Sequence, residues 1–65
     1  MNPDQQMAID AWIASAHSRC VVYAGSGLWW PAKETMDGPQ PIYWSGRGVN
    51  EITIDELVAW CAENA

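Results

Sequence analysis

The side chains suited to nucleophilic chemistry are few in this chain of 65 residues. His17 is the single histidine, Ser15 and Ser18 are its local neighbours, and the cysteines are Cys20 and Cys61. Nucleophilic catalysis needs a nucleophile, a base and an orienting group held together. A chain this short also leaves little room for a pocket of about 300 Å³ or more. We therefore expect no catalytic residue and no enzymatic activity.

The same side chains are unpromising as metal ligands. A structural zinc site normally has four ligands, and these commonly include a close pair such as Cys-x-x-Cys. His17 and Cys20 are near each other in the sequence, but the end of a helix is predicted between them. We therefore expect no metal and no cofactor. We interpret Cys20 and Cys61 as small buried apolar side chains with reduced thiols.

A glycine-rich turn follows a short apolar segment and raises the question of phosphate binding. Residues 2–6 (Asn-Pro-Asp-Gln-Gln) and 23–27 (Tyr-Ala-Gly-Ser-Gly) resemble the start of superfamily 1 helicases, a glutamine motif and a strand entering a Walker A loop. The resemblance would imply ATP binding. A Walker A loop requires Gly-Lys-Ser/Thr and then a helix, whereas Gly27 is followed by Leu-Trp-Trp. The sequence therefore excludes an ATPase.

The charge balance argues against direct nucleic acid binding. Eight acidic and three basic residues give a net charge of −5, which opposes attraction to a phosphate backbone. Residues 30–44 resemble the β-wing of excisionase and MerR-type DNA binders, but the first predicted helix carries no Arg or Lys.

The N-terminus has no secretory signal, and no segment approaches the ~18 apolar residues of a membrane span. We expect a cytoplasmic protein that binds neither nucleic acid nor membrane.

Two amphipathic helices are predicted, one at each end of the chain. Asn2 is suited to cap a first helix over about residues 3–17, with Pro3 at its first position. Thr53 and Glu56 form a capping box for a second helix over about residues 54–63. In each helix apolar residues repeat at i, i+3, i+4 and i+7, which defines one buried face: Ile9, Trp12, Ile13 and Ala16, then Ile54, Leu57, Val58 and Cys61.

Between the helices the sequence predicts three strands. Residues 20–24 are apolar and β-branched, residues 25–27 form a turn, and residues 28–30 start a second strand. Since Pro31 cannot donate to a ladder, we expect this strand to be at an edge or to break there. Residues 41–45 are the third strand, and residues 49–52 a short extended piece. The prediction is a single α+β domain, residues 1–65, of order α-β-β-β-α, with a three-stranded antiparallel sheet covered by both helices on one face.

Aromatic residues concentrate in the second predicted hairpin. The chain has five Trp and no Phe, so some Trp must fill the core, and Trp12 and Trp60 on the helices suit that role. Adjacent residues of a strand point to opposite faces, so each adjacent aromatic pair is divided between the covered and uncovered faces. An uncovered aromatic face usually marks an interaction site. The predicted partner-binding residues are Trp29, Trp30, Tyr43, Trp44 and Arg47, with cross-strand pairing between the two aromatic pairs.

These features predict a small acidic protein-binding module that acts as a regulator, inhibitor or adaptor. Accessory proteins of phage and mobile elements share this size and acidity. Two alternatives stay open. In one, the aromatic hairpin is a homodimer seam, and the protein is a structural or assembly subunit. In the other, stacked Trp side chains bind a sugar or another small ligand.

Overall fold

In the described part of the chain, two helices flank four antiparallel strands. The computed structural model describes residues 1–42 and 50–65. The elements are α1 (Pro3–Ala14), β1 (Arg19–Gly25), β2 (Leu28–Thr35), β3 (Gly38–Pro41), β4 (Ile52–Thr53) and α2 (Ile54–Asn64). The predicted α+β fold and its element order are confirmed, and β4 is a short addition to the sheet.

Strand β2 is the centre of the sheet. Strand β1 pairs antiparallel with residues 28–33 of β2, from Arg19 opposite Lys33 to Gly25 opposite Leu28. Strand β3 pairs with residues 32–35 of β2, and β4 pairs with residues 28–29. Because a strand has only two edges, β3 and β4 share the edge that β1 leaves free.

Pro31 lies in the middle of this central strand, so the prediction of an edge strand or a break there is wrong. The Glu34 amide donates to the Ser18 carbonyl at 2.6 Å, so the even-numbered residues of β2 exchange hydrogen bonds with β1. The Pro31 nitrogen therefore faces the other edge, between β3 and β4. Its carbonyl accepts from the Ile42 amide at 3.2 Å. The missing N–H thus costs the β1–β2 ladder nothing.

The first hairpin has the predicted glycine-rich turn. Ser26 and Gly27 have φ of 55° and 74°, as a type I′ two-residue connection requires. Gly25 also has positive φ, at 89°, and the register shifts between Tyr23 and Gly25, which bends the end of β1.

The second hairpin has a shorter connection between its strands than the sequence predicted. Strand β2 continues to Thr35, and β3 (Gly38–Pro41) begins three residues before the predicted start at residue 41. The prediction failed because Lys33, Glu34 and Thr35 are exposed polar residues, which give no apolar signal for a strand. Residues 43–45 of the predicted strand lie outside the described residues.

Helix α1 ends at Ala14, three residues before the predicted end at position 17. The Ser15 amide closes the last turn on the Trp12 carbonyl at 3.2 Å, and Ser18 adopts a left-handed φ of 64° that redirects the chain into β1. At the start, the Asn2 side chain accepts from the Gln5 amide at 2.8 Å as predicted. Arg19 donates to the Trp12 carbonyl at 3.0 Å and so satisfies an acceptor at the helix end.

The core lies between the helices and one face of the sheet. Trp12 and Trp60 pack edge to face with ring centroids 5.0 Å apart, and the Arg19 guanidinium lies 4.9 Å from the Trp12 ring centroid. Trp12 is fully buried, and Trp60 is half-buried against the core, as predicted. The buried cluster consists of Ile9, Trp12, Ile52, Leu57 and Cys61. Neither helix is long and apolar enough to cross a membrane.

Loss of the α2 cap gives a first testable prediction. The Thr53 hydroxyl accepts from the Glu56 amide at 3.3 Å, and the Glu56 carboxylate accepts from the Thr53 amide at 3.4 Å. Thr53→Ala is expected to lower the free energy of unfolding by about 1 kcal/mol, measured by urea denaturation. Thr53→Ser keeps the oxygen and should stay near the wild-type stability. Equal losses in both variants would show that the cap contributes nothing.

Candidate interaction surface

The two adjacent tryptophans of β2 lie on opposite faces of the sheet. Trp29 is paired with Ile52, and it packs with Val21 against the buried core beneath the helices. We call this side the helix-covered face. Trp30 points the other way because side chains alternate along a strand. Its side, the helix-free face, also carries Cys20, Val22, Leu28 and Ala32.

Trp29 is therefore part of the scaffold. Its ring lies 4.8 Å from the ring of Tyr23, its cross-strand neighbour, at an interplanar angle of 55°. The Tyr23 hydroxyl accepts a hydrogen bond from the Gly27 amide at 3.1 Å, which ties the turn to the first strand. Trp29 and Tyr23 thus stabilise the hairpin that presents Trp30.

The helix-free face is apolar across the middle of the sheet. Trp30 and Val22 are cross-strand partners, and both are half-buried, as is Leu28. Ala32 is fully buried, and its cross-strand neighbours are Cys20 and Pro41. The accessible apolar part of this face is therefore formed by the half-buried Trp30, Val22 and Leu28, while Ala32 lies beneath the surface.

The edges of this face are polar. Glu34 lies beyond Ala32 on the same strand, and Thr53 lies opposite Leu28; both are exposed. An apolar centre within a polar margin is the arrangement of many protein-binding surfaces. Tyr43, Trp44 and Arg47, the other predicted partner-binding residues, lie outside the described residues and stay predictions.

Sequence reasoning missed the contributions of Val22, Leu28 and Ala32 to this face. Their signal was available in the alternation along β1 and β2, because the predicted turn at residues 25–27 brings the two strands together. The polar run after Pro31 gives no apolar signal, so the sequence does not predict that β2 continues through Ala32.

The two cysteines lie on opposite sides of the sheet and are both free thiols. Burial raises the pKa of the Cys20 thiol, and the nearby Glu34 carboxylate raises it further. Burial raises the pKa of Cys61 to about 11, although the positive charge of Arg19 partly offsets the effect. A raised pKa leaves little thiolate at neutral pH, so both groups are poor nucleophiles.

The Cys61 thiol predicts a loss of stability at alkaline pH. Its pKa is about 11 in the folded protein, against the ordinary 9.0. The folded chain thus retains a proton that the unfolded chain releases. The stabilisation is complete below about pH 9 and is lost as the pH rises through about 11.

In urea denaturation measured across this range, Cys61→Ala should flatten the decline in the free energy of unfolding. Cys20→Ala keeps the buried Cys61 thiol, so this variant should retain most of the alkaline decline in the free energy of unfolding. The same alkaline slope in Cys61→Ala as in the wild type would contradict this origin.

Residues 1–42 and 50–65 form no pocket. Within those ranges no group of His, Cys, Asp and Glu side chains is arranged to hold a metal ion.

In comparisons with known proteins, no protein-family model, no curated protein and no solved structure matched the chain. The helix-free face, with Trp30 among apolar neighbours, is the candidate site in the described part of the chain.

Proposed function

We propose that the protein binds another protein through the helix-free face and acts as a regulator, inhibitor or adaptor. The observation that carries the proposal is Trp30, a half-buried indole among apolar neighbours on a sheet face that neither helix covers. Trp is among the residues most enriched at binding hot spots, especially at the centre of an apolar patch. Trp12, Trp29 and Trp60, by contrast, pack in or against the core.

The negative charge of the chain favours a basic partner. The chain carries a net charge of −5, and Glu34 lies at the margin of the helix-free face. An acidic binder attracts a basic partner over long range and raises its association rate. A basic rim around an apolar centre is the complementary surface that we propose.

Two free thiols in a chain of this kind also suit a reducing compartment such as the cytoplasm.

A comparative capture experiment tests the proposal. Wild-type protein and Trp30→Ser, each immobilised at equal density, are exposed to a lysate, and bound proteins are quantified by mass spectrometry. Met36→Ser is the matched control, because Met36 is a fully exposed apolar side chain at the opposite hairpin turn. A specific partner should be retained by wild type and Met36→Ser and lost from Trp30→Ser. Equal capture by all three folded proteins would refute the proposal.

A further inference from the structure

The outer edges of β1 and β3 differ in their capacity to accept another strand. In the β2–β3 hairpin, Gln40 is opposite Lys33, and the Ile42 amide donates to the Pro31 carbonyl. By alternation, Gly38, Gln40 and Ile42 direct their backbone groups towards β2. The outward positions of β3 are Pro39 and Pro41, which have no N–H. This edge is therefore protected against further pairing.

The outer edge of β1 has no such protection. Because Ser18 accepts from Glu34, the backbone groups of Cys20 and Val22 face β2. Those of Arg19, Val21 and Tyr23 then face outward, and no described residue provides a backbone partner for them. The strand contains neither a proline nor an acidic residue, in a chain with eight acidic residues. Among residues 1–42 and 50–65, it is an open edge of a kind that proteins usually block.

We propose that two copies of the chain associate through this edge, with their β1 strands antiparallel about a two-fold axis at Val21. Val21 of each copy exchanges a pair of backbone hydrogen bonds with Val21 of the other. Arg19 does the same with Tyr23 of the second copy. The two sheets become one continuous sheet across the axis.

A second copy fits this edge for reasons of symmetry and charge. Val21 is the middle residue of the regular part of β1, from Arg19 to Tyr23, and its backbone groups face outward. A two-fold axis there makes every contact between the strands reciprocal, as isologous pairing requires. In this register no two like charges face each other, since Arg19 lies beside Tyr23 and Cys20 beside Val22. Each chain has a net charge of −5, but β1 carries no carboxylate. Two copies can therefore approach along β1 without placing carboxylates opposite each other on the paired strands. The pairing also joins the two helix-free faces into one apolar surface.

This edge lies in the plane of the sheet, whereas the proposed partner surface lies on its face. The two proposals therefore rest on different groups, and either can fail alone. Trp30→Ser is expected to leave the self-association unchanged.

A register-specific cross-link tests the dimer. Val22 of one copy lies opposite Cys20 of the other in a pair without hydrogen bonds, for which the Cα atoms are about 4.5 Å apart. That separation is within the range of a disulfide. Val22→Cys, treated with oxidised glutathione at mildly alkaline pH, should give a covalent dimer, because glutathione disulfide accepts the two electrons that the thiols lose.

The matched control is Ala24→Cys, whose position lies opposite Ser18 of the second copy in this register. Val22→Cys is expected to cross-link at least about tenfold faster, since only its thiol meets Cys20 at disulfide distance. In the wild type the two Cys20 residues are diagonal neighbours at about 7–8 Å, so the chain should cross-link slowly. Equal rates for Val22→Cys and Ala24→Cys would overturn the register.

Sedimentation provides the second readout. At micromolar concentration the wild type should sediment with twice the 7.2 kDa mass of one chain. Val21→Pro removes an outward N–H and leaves the β1–β2 ladder intact, so this variant should sediment as a folded monomer. If the variant does not fold, the cross-linking rates alone decide. A wild-type monomer across this concentration range would overturn the proposal and leave the edge open to a strand from another protein.

Discussion

Trp12→Ala is expected to remove a large part of the free energy of unfolding. Trp12 is fully buried at the centre of the core, against Trp60 and beneath the Arg19 guanidinium. Removing a buried Trp typically costs about 3–5 kcal/mol. A domain of this length has only about 3–10 kcal/mol of stability, at 0.05–0.15 kcal/mol per residue. Far-ultraviolet circular dichroism with urea denaturation measures the effect.

One feature of Trp12 reduces the expected cost. Its buried indole N–H has no hydrogen-bond partner among the residues that the structure describes. An unsatisfied buried donor costs the native state about 1–3 kcal/mol, and the substitution removes that cost. We therefore expect a loss in the lower part of the range for buried Trp.

Trp30→Ala is the matched control for this stability measurement. Trp30 is half-buried on the helix-free face and contributes to no described part of the core cluster. Its replacement should cost about 1–2 kcal/mol, in proportion to the smaller apolar area removed from contact. Equal losses for Trp12→Ala and Trp30→Ala would contradict the division of the tryptophans between core and surface.

The helices were predictable because their signals are local. The cap at Asn2 and the capping box at Thr53 determine where each helix begins, and both form as expected. The end of α1 was less predictable, since Ala16 continued the apolar period although it lies exposed beyond the helix. Only tertiary structure, through the left-handed Ser18 and the entry into β1, decides that the helix stops at Ala14.

The sheet was harder to predict because register depends on which strands meet. Pro31 predicted an edge strand or a break, yet a proline is tolerated in a central strand when its nitrogen faces the gap between two short neighbouring strands. That condition depends on where β3 ends and β4 begins. Likewise, alternation predicted that Trp29 and Trp30 would be separated, but only the pairing of Trp29 with Ile52 shows which one faces the helices.

Trp30→Ser is expected to weaken the captured partner's binding by at least about 30-fold, because a central Trp hot spot contributes about 2 kcal/mol or more. The effect should appear mainly in the dissociation rate, since the contact forms after encounter. Surface plasmon resonance with purified partner measures both rates. Met36→Ser, which changes an exposed apolar side chain outside the helix-free face, should bind as the wild type does.

The ionic-strength dependence of the same titration separates the two proposed contributions. Raising the salt concentration should slow association through screening of the acidic surface. It should have little effect on the Trp30 contribution, because apolar burial does not depend on charge. If added salt abolished binding while Trp30→Ser bound as tightly as the wild type, the interface would lie on the acidic surface instead.

The most direct test of the helix-free face as the binding surface is a nuclear magnetic resonance titration of the ¹⁵N-labelled protein with its captured partner. Each of the five Trp residues carries an indole N–H that reports its surroundings. We predict that the Trp30 indole signal and the amides of Val22 and Leu28 shift or broaden, while the Trp12 indole stays in place. Changes confined to α1 and α2, with the Trp30 indole signal unmoved, would contradict the proposal.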